Sequence, residues 1–383
     1  MHERKQPIFH LVKRGELSSK YALLIRLASI LAALLAGALI FLLLGSNPIR
    51  AYGEILAGSL GRESARQRVI NIAVPLLGTA LAIAPCFRMK FWNIGAEGQI
   101  TAGAVGATYF ALTFGGKYGI FEGKEPSLLL LLMMALGAMI CGAFWALIPA
   151  FFHAKWGTNE TLFTLMLNYI AIGIVKWLQG GPWEGKPGSQ IIPNFHASAL
   201  LPKVFGVHIG WILVLLLTVL IFVYMRYTKH GYEIAVLGES MNTARYAGMN
   251  VAWITIRTML LSGAIAGLVG FMIVSGANKT LYFGVAGGVG FTAITVAWLA
   301  QLNPFAMIVI SLMLAVLEKG AGNLETVMGI PTSIADIITG VILLFMLASE
   351  FFVRYRVALG SRGLDWVRWD DGKAGVAGKE EAE

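Results

Sequence analysis

The side chains best able to do chemistry in this 383-residue chain sit inside or beside long apolar runs. Phe91-Trp92-Asn93-Ile94-Gly95-Ala96-Glu97-Gly98-Gln99 brings a carboxylate, carboxamides and two glycines to the entrance of one such run. Polar groups in apolar surroundings are expensive unless they face a cavity or one another. Two readings share these residues. Asn93 can cap a helix whose positive end Glu97 then meets, and the same groups can line a solute pathway where helices are broken. In a second stretch, Thr158 to Tyr169, the residues Glu160, Thr164 and Asn168 stand four apart and share one helix face. Asn159 and Glu160 again have a capping explanation. A polar stripe on an apolar helix lines a pathway or holds neighbouring helices by hydrogen bonds.

The third stretch, Gly231 to Val251, is polar and small. Ala244, Ala247 and Gly248 lie three to four apart, which predicts a short helix with a smooth face. Such a helix docks in a groove on a partner, or is an ordinary surface helix between two larger elements. Catalytic chemistry finds no footing. His-Glu-x-x-His spacing is absent, the 6 histidines are scattered, and no nucleophile stands beside a base. No Gly-x4-Gly-Lys-[Ser/Thr] loop is present, because Lys117, Lys124 and Lys186 are not followed by Ser or Thr. We therefore expect no catalytic residue, no metal and no cofactor held by this chain.

The elements that position these groups follow from composition. Hydrophobic residues make up 57% of the chain and charged residues 13%, and the mean hydropathy is +0.71. Leu27–Leu44, Leu128–Phe152 and Trp211–Tyr224 carry no formal charge. Crossing a hydrocarbon core takes about 20 helical residues, and these runs supply that length or come near it. The expected fold is all-α, a polytopic integral membrane bundle of about ten spans near 24–45, 69–86, 95–114, 128–151, 160–178, 208–226, 256–276, 285–302, 304–318 and 332–350. The blocks 69–178 and 256–350 each hold four spans and a glycine-rich interruption, a pattern that allows an inverted repeat. A net charge of +9 does not imply nucleic-acid binding, since the basic residues form no stripe with interleaved aromatics. They flank apolar runs instead, and the greater share falls on the N-terminal side, which places both termini in the cytoplasm. Cys86 and Cys141 lie in or beside apolar runs and suggest neither a disulfide framework nor a metal site. Three parts result: a cytoplasmic N-terminal segment 1–23, a transmembrane domain 24–352 with its long internal loop at about 227–255, and a cytoplasmic tail 353–383, partly disordered.

The three stretches together, in this order, resemble the permease subunits of ABC importers of the nucleoside/ribose (simple sugar) type, within the branched-chain amino acid/ribose permease family. Asn93–Gln99 resembles the nucleoside-type signature, Asn159–Tyr169 a second motif, and 231–251 the loop that couples to the ATPase. The likeness spans about residues 20 to 355. The chain departs from the pattern at Ser240-Met241, where an Asn-Pro-like pair is common, and at Ile234, where a basic residue is often found. Residues 288–294 also lack the usual acidic residue. The resemblance implies import of nucleosides or ribose-like sugars by alternating access, across the cytoplasmic (inner) membrane of a prokaryote. It implies a pathway near Phe91, Trp92, Asn93, Glu97, Gln99, Asn159, Glu160, Thr164 and Asn168, with Phe91 and Trp92 able to stack on a base. Gly238, Glu239, Ala244, Tyr246, Ala247 and Gly248 would form the coupling surface. ATP would be bound by separate cytoplasmic subunits. A second permease, identical or not, and an extracytoplasmic substrate-binding protein would complete the complex within membrane lipid. The competing reading is an ion-coupled secondary transporter, for which Glu97, Glu160 and Asp336 are the candidate carboxylates.

Overall fold

The computed structural model describes residues 9–13, 19–115, 119–121 and 125–359. The remaining parts of the expected terminal segments, and the side chain of Asp336, lie outside the described residues. The helices in chain order are α1 (Ser19–Leu43), α2 (Pro48–Leu60), α3 (Glu63–Arg88), α4 (Ala96–Phe114), α5 (Leu128–Trp156), α6 (Glu160–Gln179) and α7 (Gly210–Tyr227). Then come α8 (Lys229–Glu239), α9 (Met241–Tyr246), α10 (Val251–Met272), α11 (Val289–Leu299), α12 (Pro304–Met328) and α13 (Thr332–Arg354). A π-helical turn, Ile273–Asn278, extends α10. Local sequence sets the ends. Asn159, Asn250 and Asn303 accept backbone N–H groups at the starts of α6, α10 and α12, as capping carboxamides do. Gly157 and Gly329 end α5 and α12 in the left-handed conformation that glycine adopts without penalty.

Two compact units share the chain. In the first, built from the residues up to Tyr52 and from Pro331 onward, α1 packs along α13. The short strand β1 (Phe9–Lys13) pairs antiparallel with β4 (Tyr355–Leu359), Phe9 opposite Leu359, so the terminal segments lie side by side. The Tyr52 hydroxyl donates to the Leu34 carbonyl at 2.7 Å, and its ring meets Phe41 edge-on. The second unit, Gly53–Ile330, is centred on α3, α4, α5 and α10. Its outer faces are apolar: Leu128, Leu132, Leu136, Ile140 and Phe144 form an exposed stripe along α5. A stripe of that length belongs against lipid.

Packing at the centre runs backbone to backbone. Gly103 of α4 lies on Gly267 of α10, and Gly142 of α5 lies on Gly263 and Gly267. Small residues let spanning helices approach this closely. The pairing is also reciprocal between the two blocks: α3 packs on α11 and α12, while α10 packs on α4 and α5. Exchange of partners in this sense is what an inverted repeat produces.

The protein is a polytopic helical membrane bundle. Among the described residues six helices are long and apolar enough to cross a membrane, α3, α5, α6, α7, α10 with its π turn, and α12; α1 and α2 together make a seventh if they form one broken span. The expected segment 285–302 differs from a full span. Its first residues form turns, and α11 has 11 residues, about 16 Å of helix. Two short strands in the 180–209 connection, β2 (Lys203–Val204) and β3 (Val207–His208), form a hairpin ahead of α7.

Candidate functional site

The centre of the second unit is a meeting of two helix starts. Residues 91–95 run without helix before α4 begins at Ala96, and turns at 283–288 precede α11 at Val289. Glu97 joins the two. Its Oε1 accepts the Gly288 N–H at 2.8 Å and its Oε2 accepts the Gly290 N–H at 2.8 Å. The carboxylate also lies in the first turn of α4, so it answers the positive ends of both helices. Gly288 sits at φ +80° and Gly290 leaves no room for a methyl against the Glu97 backbone. Both positions require glycine.

The carboxamides hold the strand that leads into α4. Asn93 is fully buried; its Nδ2 donates to Gln99 Oε1 at 3.3 Å and to Ser262 Oγ of α10 at 3.2 Å. Its Oδ1 accepts from Gln99 Nε2 and from the Gly95 N–H, both at 3.1 Å. From α6, Asn168 accepts the Gly98 N–H at 2.8 Å and donates to the Ile94 carbonyl at 3.0 Å, and Thr164 accepts the Ile94 N–H at 3.2 Å. Asn168 lies midway along α6, which sets this junction at mid-depth in the bundle. Every backbone group of the break that these side chains meet would otherwise be an unpaired group in a dry interior.

Other expected residues stand apart from the junction. Asn159 caps α6 through Leu162 N, and Glu160 lies 3.3 Å from His153 Nδ1. Phe91 is buried, edge-on to His153. Trp92 is the open one. It stacks on Trp298 of α11, ring centroids 5.4 Å apart and planes at 17°, with Phe87 behind both. Trp92 and Trp298 are 41% and 38% exposed, and Phe291, two turns before Trp298 on the same face of α11, is 43% exposed. Sequence reasoning singled out Trp92 but neither Trp298 nor Ser262, which carry no local motif. The glycine-rich 284–290 stretch and Glu97 were each visible, but their pairing was not.

The polar loop folds as two helices, with Ser240 between them capping α9 through Thr243 N. Gly238 is pressed against the Arg88 carbonyl at the end of α3. Ala244 is buried, Glu239, Ala247 and Gly248 are exposed, and Tyr246 is 92% exposed at the tip. His230 ties α8 to its neighbours, in hydrogen-bond contact with the Tyr224 hydroxyl of α7 and, at 3.3 Å, with Thr258 Oγ1 of α10. Arg257 of α10 donates to Glu233 of α8 at 2.7 Å. A cavity of about 820 Å³ opens between this pair of helices and the bundle, bordered by Lys90, His153, Glu160, Glu239 and Arg245. Among the described residues no group of three or more His, Cys, Asp or Glu side chains is arranged to hold a metal ion.

Such a bundle, with a broken-helix junction at its centre and a helical pair at one end, defines a membrane permease. The chain belongs to the family described as branched-chain amino acid transport system / permease component, which it matches over residues 66–347. Among curated proteins it is 33% identical over 353 residues to a glucose ABC transporter permease of Haloferax volcanii, covering 88% of this chain and 90% of the relative. It is 30% identical to the guanosine ABC transporter permease NupP of Bacillus subtilis, covering 87% and 95%, and 28% identical to the nucleoside ABC transporter permease NupB of Lactococcus lactis, covering 86% and 92%. No solved structure matches the chain. The protein is thus a transport subunit of the ABC permease class, a multi-pass protein of a prokaryotic inner membrane. ATP-driven transport is supported over the ion-coupled alternative, and both oxygens of Glu97 already accept backbone N–H groups.

Proposed function

We propose that this permease imports nucleosides, and that the stacked Trp92–Trp298 pair is the surface on which the base rides. The observation that carries the reading is the exposure of two stacked, nearly parallel indoles beside the broken-helix junction. A nucleobase presents a flat π-face, and stacking on an aromatic is worth about 1–3 kcal/mol. The relatives named for guanosine and nucleosides support it, and the one named for glucose supports a sugar as the second reading. Phe291 continues the aromatic face, with Thr292 and Thr295 beside it for hydroxyl groups. Asn93, Glu97, Gln99, Thr164 and Asn168 then act by holding the junction, while Asn159, Glu160 and Phe91 serve the start of α6 and its contact with His153.

The exposed face of α11 closes against a second permease, identical or not, so that the pathway runs between two copies of the fold. ATP is bound and hydrolysed by cytoplasmic subunits that receive α8 and α9, with Glu239, Tyr246, Ala247 and Gly248 at the contact. A substrate-binding protein delivers the solute on the other side. Both termini are cytoplasmic, in keeping with the β1–β4 pair and the excess of basic residues on that side.

Uptake of labelled guanosine, uridine and glucose by cells carrying the complete system tests this. Guanosine or uridine uptake is expected, with KM raised about tenfold in Trp92→Ala and Trp298→Ala and largely kept in Trp92→Phe. Uptake of glucose alone, indifferent to either substitution, would overturn the nucleoside reading.

A further inference from the structure

Arg62, Arg66 and Arg68 crowd the stretch that leads from α2 into α3. α3 runs from this end of the bundle to Arg88, where α8 packs, so the arginines gather at the end away from α8 and α9. Basic residues ordinarily collect on the cytoplasmic side, and a cluster at the opposite end calls for its own explanation. A cavity of about 620 Å³ opens there, lined by Arg62, Arg68 and Lys319 together with Glu54 and Asn323. Among the described residues none of these three cations forms an ion pair. Arg66 is different, since it donates to the Leu60 carbonyl at 3.0 Å. The carboxylate of Glu54 is engaged by Asn323, whose Nδ2 donates to the Glu54 carbonyl at 2.9 Å and to its Oε2 at 3.3 Å. Three cations against one carboxylate leave the cavity positive. Leu56 and Leu60 of α2, outside the lining of the cavity, are 55% and 45% exposed on the same helix.

We propose that this cavity binds the phosphate of an anionic phospholipid headgroup, held by Arg62, Arg68 and Lys319 while the acyl chains lie along Leu56 and Leu60. Guanidinium groups match the paired oxygens of a phosphate. Free phosphate shares the charge chemistry but has nothing to place on the two leucines.

The test is native mass spectrometry of the full-length chain in detergent, with phosphatidylglycerol and phosphatidylcholine added at equal concentration. The protein is expected to retain phosphatidylglycerol at least fivefold over phosphatidylcholine. Arg62→Ala/Arg68→Ala and Lys319→Ala should each reduce that preference threefold or more, and Arg62→Lys/Arg68→Lys should keep most of it. Lys186→Ala, which removes an exposed cation elsewhere, should leave it unchanged. A monodisperse elution profile of each variant establishes that it is folded. Equal retention of both lipids, or an equal loss in Lys186→Ala, would overturn the proposal. Displacement of the lipid by millimolar inorganic phosphate would reassign the site to the free ion. Loss of uptake with lipid preference intact would assign the cations to docking of a soluble partner and remove the lipid.

Discussion

At the residue scale the centre of the protein is a problem in hydrogen bonding, solved by few side chains. Asn168 satisfies a donor and an acceptor of the buried 94–98 backbone at once. Its loss leaves both unmet, at about 1–3 kcal/mol each. Asn159 supplies one exposed cap, worth about 1 kcal/mol. The thermal midpoint of purified Asn168→Ala should therefore fall at least twice as far as that of Asn159→Ala; equal shifts would mean that the 94–98 backbone finds other partners. Glu97→Gln keeps the shape of the side chain but sets an amide N–H₂ against one of the two backbone donors. Uptake is expected to drop by tenfold or more while the protein still reaches the membrane. The sequence made these polar residues legible, because each stands in apolar company. It left their partners hidden. Gly288 and Gly290 are 191 and 193 positions away from Glu97, and no local pattern links residues across such a distance.

Elements were legible where hydrophobic length alone decides them. The runs forming α5, α6 and α7 are helices close to the expected bounds. α11 was expected as a longer span, because the apolar composition of 285–302 does not reveal that glycines at 284, 287 and 288 turn the chain before a helix can start. A short helix does lie in 231–251, but it ends at Tyr246, so of the three small residues expected on its smooth face only Ala244 is within it, while Ala247 and Gly248 close it; the division at Ser240 depends on a cap that many serines could make. Coupling through α8 has a measurable pH signature. Burial first, and then the Arg257 guanidinium, hold the His230 imidazole below its ordinary value of 6.5. The unfolded chain takes up a proton below that pH while the folded chain resists it, so stability is full above 6.5 and declines as pH falls beneath it. Between about pH 7.5 and 5.5 the thermal midpoint of the native protein should fall more than that of His230→Gln. Parallel curves would remove His230 as the cause.

For the whole molecule, the packing of α3 on α11 and α12 and of α10 on α4 and α5 is the exchange of partners that an inverted repeat would need, with little sequence likeness required. Each block need only offer a buried first helix, α3 or α10, and a broken segment after it. Assembly with an ATP-binding subunit is expected to depend on the tip of α9. Tyr246→Ala should lower co-purification of that subunit tenfold without moving the thermal midpoint of the permease alone, and unchanged recovery would shift the contact elsewhere. The glycine seam of α4, α5 and α10 has a further consequence. Packed helices ordinarily slide by letting side chains slip between alternative rotamers, and here there is no side-chain layer to slip. Gly267 rests directly on the backbones of both neighbours. A seam of this kind resists sliding of α4, α5 and α10 past one another, so within this unit the backbone is freest to bend where helix is already interrupted, at 91–95 and 281–288.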